Sequence, residues 1–229
     1  MEIDYKVEHR DVKYPRLEFK GLSLLVILPR EIDDATEILE KRKSWVQKKW
    51  NIIQESLKNV STPHGFMIFG EPFSIENTDI QNPIMDLTQR KIQAKIGNQK
   101  HQKLIKQQLR NLLKQKLRTL VEEYSKKTGL KPNKLMINQQ KTKWGSCSSK
   151  KNLSFNLKLV CLPEELIRYV VFHEMLHLKD KKHSLLFWER IGREFPKYED
   201  HERKLLEYWF YTEILSKNLR TTINTLKHF

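Results

Sequence analysis

The sequence predicts an α+β protein, with long helices packed on a small sheet behind a small mixed β/α N-terminal lobe. Three observations carry that prediction. Up to residue 97, short apolar runs are cut by glycine and proline, as small strands are. Beyond Gly97-Asn98 a long apolar stripe recurs at helical spacing. From Leu153 apolar and polar residues alternate, and a helix that is apolar nearly all round follows.

In order, Leu17, Phe19 and the run Leu22 to Leu28, closed by Pro29, read as one or two strands with Gly21 as a turn or bulge. Asp34 followed three residues on by Glu37 marks a helix start. Ile38, Leu39, Trp45, Val46, Trp50, Ile53 and Leu57 continue it as one helix to near Asn59, with Lys41, Arg42, Lys43, Lys48 and Lys49 on a solvated face. From Ser61 to Ile96 short strands return between Pro63, Gly65, Gly70, Pro72 and Pro83. Residues 1–97 are therefore expected to form a strand-rich lobe with one helix, 98–217 a catalytic domain and 218–229 a polar tail.

The second part opens with an amphipathic helix whose stripe runs from Ile105 to Tyr124 and which Gly129 stops. Leu135 to Asn138 reads as a strand. Leu153, Phe155, Leu157 and Leu159 alternate with Ser154, Asn156 and Lys158 as in a half-buried strand. Leu162-Pro163-Glu164-Glu165 opens the next helix, with Pro at its first turn and acids at the positive end of its dipole. After it, Lys179 to Lys182 form a turn in which Asp180 suits a left-handed conformation. Ser184 caps a helix that Pro196 ends, and a last helix starts near Asp200.

The net charge of +15 and sequence pI of about 9.7 favour anionic partners, nucleic acid through a basic surface among them. Lysine is spread along most of the chain, so a compositional habit explains the charge equally well. Cys147 and Cys161 form no Cys-x-x-Cys pair, the N-terminus does not read as a signal peptide, and the apolar run Leu24 to Leu28 is too short for a bilayer. A cytoplasmic protein without a membrane partner is expected, its oligomeric state open.

Chemistry concentrates in His173-Glu174-Met175-Leu176-His177, with His183 six residues further on. Positions four apart share a helix face, so His173 and His177 can present two imidazoles to one metal ion. Glu174 beside them can take a proton from a metal-activated water. The apolar flanks bury this helix, and each buried polar group without a partner costs about 1–3 kcal/mol, which a bound metal relieves.

Trp144-Gly145-Ser146-Cys147, the alternating strand through Asn156, Leu162-Pro163, His173-Glu174-x-x-His177 and His183-Ser184-x-x-Phe187-Trp188 together resemble the YgjP-type metal-dependent hydrolases, relatives of the SprT and WLM zincin-like peptidases. The resemblance implies a zincin-like metallohydrolase domain, with one Zn2+ per chain held by His173, His177 and His183 and with Glu174 as general base. Metzincins share the spacing but have Gly where this chain has Asp180. A rival plan takes the third ligand from Glu189, Glu194, Glu199 or Glu202. The resemblance also implies two substrate classes, peptide or protein for a metallopeptidase and UTP for a nucleoside triphosphate pyrophosphohydrolase. A third reading is a nucleic-acid-associated accessory protein whose metal is structural, which needs a fourth protein ligand that is not evident.

For a peptide substrate, Ser154 to Leu157 is a candidate sheet edge for strand addition. Trp144, Ser154, Asn156, Lys141 and Lys143 are candidate substrate contacts, although Trp144 reads first as a packing anchor in the turn. Tyr198 and His201 are candidate oxyanion donors. Cys147 reads as an inert thiol, and His9, His64, His101 and His228 as surface residues.

Overall fold

A computed structural model of the chain describes residues 3–20, 23–60 and 66–222. Among them, three small sheets and a set of longer helices give the expected α+β class. The first sheet has the order β1-β3-β2, from β1 (Tyr5–His9), β2 (Arg16–Lys20) and β3 (Ser23–Leu28). Its central strand buries Leu24 to Leu28, which explains the continuous apolar run.

The single helix expected after Asp34 is two, α1 (Thr36–Lys41) and α2 (Lys43–Val60), separated at Arg42. The apolar residues on either side of the break have different partners. Ile38 and Leu39 pack on Val26 and Leu28 of β3, whereas α2 packs along the last helix. Asp34 still organises the start, since its carboxylate accepts from the Thr36 N–H at 2.9 Å.

The second sheet runs β4-β5-β7-β6, from β4 (Phe66–Ile68), β5 (Glu71–Asn77), β6 (Ile84–Asp86) and β7 (Lys91–Ala94). Phe69 and Gly70, both at positive φ, make its first turn. A side chain at Gly70 would place a Cβ 2.9 Å from the Pro163 Cα, so that position accepts only glycine without displacement. The Phe69 N–H donates to the Val160 carbonyl at 2.7 Å, fixing this turn against the segment that leads into Pro163.

Asn98 caps α3 (Gln99–Thr128) through its side-chain oxygen, and Gly129 ends it at φ 72°. His101 is not a surface residue but is buried: its Nδ1 accepts from the Lys95 N–H at 3.0 Å and its Nε2 lies 3.2 Å from the Gln81 carbonyl. These contacts tie the second sheet to α3. His64 and His228 lie outside the described residues, as does the expected polar tail from residue 223.

The third sheet has the order β8-β10-β9, from β8 (Lys134–Asn138), β9 (Gly145–Cys147) and β10 (Asn152–Asn156). Here the structure corrects two expectations. The alternating strand stops at Asn156, whose side-chain oxygen accepts from the Lys158 N–H at 3.2 Å, and Leu157–Cys161 form a 3-10 helix instead. Nor is β10 an edge: it is paired in parallel with β8 and antiparallel with β9, and both its faces are buried.

The chain closes with α4 (Glu164–Leu176), α5 (Leu185–Glu194) and α6 (Tyr198–Thr222). One core joins Phe66 and Ile92 of the second sheet to Leu109 and Leu117 of α3, Phe155 of β10 and Phe172 of α4. Among the described residues no helix is long and apolar enough to cross a membrane.

Candidate metal centre

α4 delivers His173 from its last turn and His177 from its C-cap. The chain then turns back. The Leu178, Lys179 and Asp180 N–H groups donate to Met175 and Leu176 carbonyls, and the Asp180 carboxylate pairs with Arg190 of α5. Asp180 is not in a left-handed conformation; its service to the turn is through this ion pair and through its carbonyl, which receives His177 Nδ1 at 2.8 Å. That bond fixes the His177 tautomer with the proton on Nδ1 and the lone pair on Nε2.

His183 arrives just before the Ser184 side chain caps α5 by accepting from the Phe187 N–H. Its ring stacks on Trp188 at 5.5 Å and meets Phe187 edge-on. The His183 Nε2 lies 3.0 Å from the Nε2 of His173 and 3.1 Å from that of His177. Zinc–nitrogen bonds of about 2.0–2.1 Å in a tetrahedral site give nitrogen separations of about 3.3 Å, so the triangle fits a metal after an opening of a few tenths of an ångström. Burial first, and the other two histidines second, push the His173 pKa down to about 3, which keeps it a neutral donor at ordinary pH. Its Nδ1 is buried without a hydrogen-bond partner.

Among the described residues these three histidines are the group able to hold a metal. The glutamate plan finds its candidates elsewhere: Glu194 pairs with Lys127, and Glu202 accepts from the Tyr169 hydroxyl at 2.5 Å. Cys147 is outside the group; its thiol lies 3.7 Å from the Lys181 ammonium, and burial raises its pKa.

Glu174 lies against β9, and the contact requires a glycine. A Cβ on Gly145 would sit 2.7 Å from Glu174 Cγ and 2.9 Å from its Oε1. Burial raises the Glu174 pKa to about 7, with Lys143 opposing the rise. The role of Gly145 escaped the sequence reading, although a glycine inside a short strand is a signal of close approach.

The substrate candidates separate by position. Trp144 is held from behind, its Nε1–H donating to the Leu205 carbonyl at 3.2 Å and its ring edge-on to Trp209 at 5.0 Å, which is the packing-anchor arrangement. Asn156, 1% exposed, donates to the Gln140 and Lys143 carbonyls, and Ser154 accepts from Asn138 and Gln140. Both polar side chains are used up in holding the 138–144 loop, so neither is offered to a substrate. Lys141 and Lys143 are exposed on that loop.

His201 packs on Tyr169 and Phe195 and lies 2.9 Å from the Glu165 carboxylate. Tyr169 stands between His201 and the triad, its ring centroid 5.2 Å from that of His201 and 6.0 Å from that of His173. The orientation leaves His201 Nε2 without a hydrogen-bond partner, while its Nδ1 lies 2.9 Å from the Lys197 carbonyl. Tyr198 stacks on Trp188 at 5.2 Å, the ring on which His183 also stacks.

The comparisons bear on this arrangement. A family model described as YgjP-like, metallopeptidase domain, matches residues 13–208. No curated protein matches the chain. A crystal structure of the metallopeptidase zymogen of Methanocaldococcus jannaschii jannalysin is 26% identical over 40% of this chain and 88% of that chain, at a TM-score of 0.34. The family match runs from ahead of β2 into α6 and includes all three histidines and Glu174. The chain thus belongs to the YgjP-like metallopeptidase family and is by class a metal-dependent hydrolase.

Proposed function

We propose that the chain is a zinc metallopeptidase in which His173, His177 and His183 hold one Zn2+ and Glu174 is the general base. The observation that carries this reading is the convergence of three Nε2 atoms, two of the separations being 3.0 and 3.1 Å, beside a buried carboxylate. Three neutral imidazoles suit zinc and leave one coordination position open. Zinc supplies Lewis acidity there, lowering the pKa of water and polarising a carbonyl.

The chain's own residues do the rest. Glu174, a buried carboxylate beside the three histidines, accepts a proton from the attacking water and returns it to the leaving amine. Its burial keeps bulk water from competing for that proton. Both oxyanion candidates are one ring removed from the histidines, Tyr198 through Trp188 and His201 through Tyr169. An extended peptide would pair not with β10 but with the outer edge of β9, where Gly145 brings the strand against Glu174.

The nucleotide alternative needs lysines at the phosphates. Of Lys141, Lys143, Lys150 and Lys151, Lys143 is the one that acts on the ionisation of Glu174, and a single lysine is a thin phosphate site. The test is to incubate zinc-loaded wild type and Glu174→Gln separately with unfolded casein and with UTP. Casein cleavage that falls by about 10²–10⁴-fold in the variant is expected. Glutamate-dependent turnover of UTP alone would replace the peptidase reading.

A further inference from the structure

α3 carries a ladder of positive charge that the hydrolytic site does not use. Lys100, Lys103, Lys106, Arg110, Lys114 and Arg118 follow one another at steps of three or four residues, so they lie along one side of the helix. The ladder rises about 27 Å at 1.5 Å per residue. No Asp or Glu occurs between Gln99 and Val121. Elsewhere lysines are answered by acids: Lys41 by Glu37 and Lys43 by Glu40 on the early helices, and, on α3 itself but beyond the ladder, Lys126 by Glu122. By contrast, Lys100, Lys103, Arg110, Lys114 and Arg118 make no ion pair among the described residues.

Like charges at this spacing destabilise a helix, so the exposed rungs do not serve the fold. Burial, and after it the neighbouring Arg110, holds the Lys106 ammonium below its ordinary pKa. Arg110 also donates to the Ile137 carbonyl of β8 at 2.6 Å, which fixes the ladder's middle rung on the sheet. Between the rungs the exposed residues are Gln107, Gln108, Asn111 and Gln115, and α3 exposes no large hydrophobic side chain. The surface therefore has nothing to stack on unpaired bases and nothing to insert into a bilayer. What it offers is a line of cations with amide groups between them, suited to phosphates at regular spacing.

We propose that the α3 ladder is a docking ridge for the phosphate backbone of a double-stranded nucleic acid, bound without regard to sequence. It lies against β8, the sheet edge opposite the one that meets Glu174, so duplex and hydrolytic substrate occupy different sides of the molecule.

The test is fluorescence anisotropy of the full chain with a labelled mixed-sequence DNA duplex of about 30 base pairs, titrated from about 50 to 200 mM salt. Binding should weaken linearly on a log–log plot. The exposed-rung variant Lys100→Gln/Lys103→Gln/Lys114→Gln/Arg118→Gln should bind at least about tenfold more weakly and flatten the slope by about 3 to 4. Lys41→Gln/Lys43→Gln, on paired lysines, should match wild type. No duplex binding, equal loss in the two variants, or tighter binding to phosphatidylserine vesicles than to duplex would each overturn the proposal. Should the quadruple variant melt early by circular dichroism, Lys103→Gln and Lys114→Gln singly decide: each should reduce the slope by about 0.9, and unchanged slopes in both count against the ridge.

Discussion

β9 and β8 flank the same central strand, yet they meet very different surroundings. β9 is three residues long and lies so close to α4 that Gly145 has no room for a Cβ beside Glu174. β8 is longer, exposes Met136, and is fastened from outside by Arg110 of the cationic helix. The difference teaches where the molecule tolerates change. On the β9 side Gly145 is in direct contact with the proposed general base, whereas on the β8 side charge and solvent absorb substitutions.

The comparison can be broken most directly at Gly145. Gly145→Ala forces Glu174 to move, and a displacement of that size in a general base should lower kcat/KM by about 10²-fold, with zinc content unchanged. Met136→Ala, on the other edge, should leave kcat/KM within about twofold of wild type and stability within about 0.5 kcal/mol. Equal effects at the two positions in a steady-state assay would remove the distinction.

Between the edges, Asn156→Ala should cost about 1–3 kcal/mol in chemical denaturation, since it leaves the Gln140 and Lys143 carbonyls without their donor. Its activity loss should follow its stability loss. Loss of kcat with unchanged stability would instead mean that Asn156 touches substrate.

A smaller effect appears in the metal-free protein as pH changes. Glu174 has a folded pKa of about 7 against an ordinary 4.5, so the folded state holds its proton more tightly than the unfolded one. Stability is then full below about pH 4.5 and falls as pH rises through 7. His173 runs the other way: with a folded pKa of about 3 against 6.5, its contribution is full above pH 6.5 and is lost as pH falls toward 3. Chelator-treated Glu174→Gln should therefore melt higher than chelator-treated wild type at pH 8, by about 1–3 kcal/mol, and equally at pH 4. A higher melting point for wild type at pH 8 would contradict the burial argument.

What could be read from residues alone was local. The histidine spacing, the Asn98 and Ser184 caps and the Gly129 stop each act within one or two turns of chain, and each signal stands in the sequence. Two misreadings were local, the strand end at Asn156 and the backbone at Asp180, and the others were non-local. Alternation through Ser154 and Asn156 suggests a solvated face, but loop 138–144 folds over those polar groups and satisfies them, so the strand is internal. His101 looks like a surface residue until two backbone partners from the preceding sheet reach it. Gly145 shows its purpose only when Glu174, far along the chain, is placed against it. Arg42 breaks a helix because Ile38 and α2 belong to different packing partners.

The central claim is that three histidines and no glutamate hold the metal, and metal content after exhaustive dialysis tests it most directly. Wild type and a Glu202→Gln control should each retain about one zinc per chain, while His183→Ala should retain markedly less at the same free zinc. Full zinc retention in His183→Ala, with loss in the glutamate variant, would contradict it.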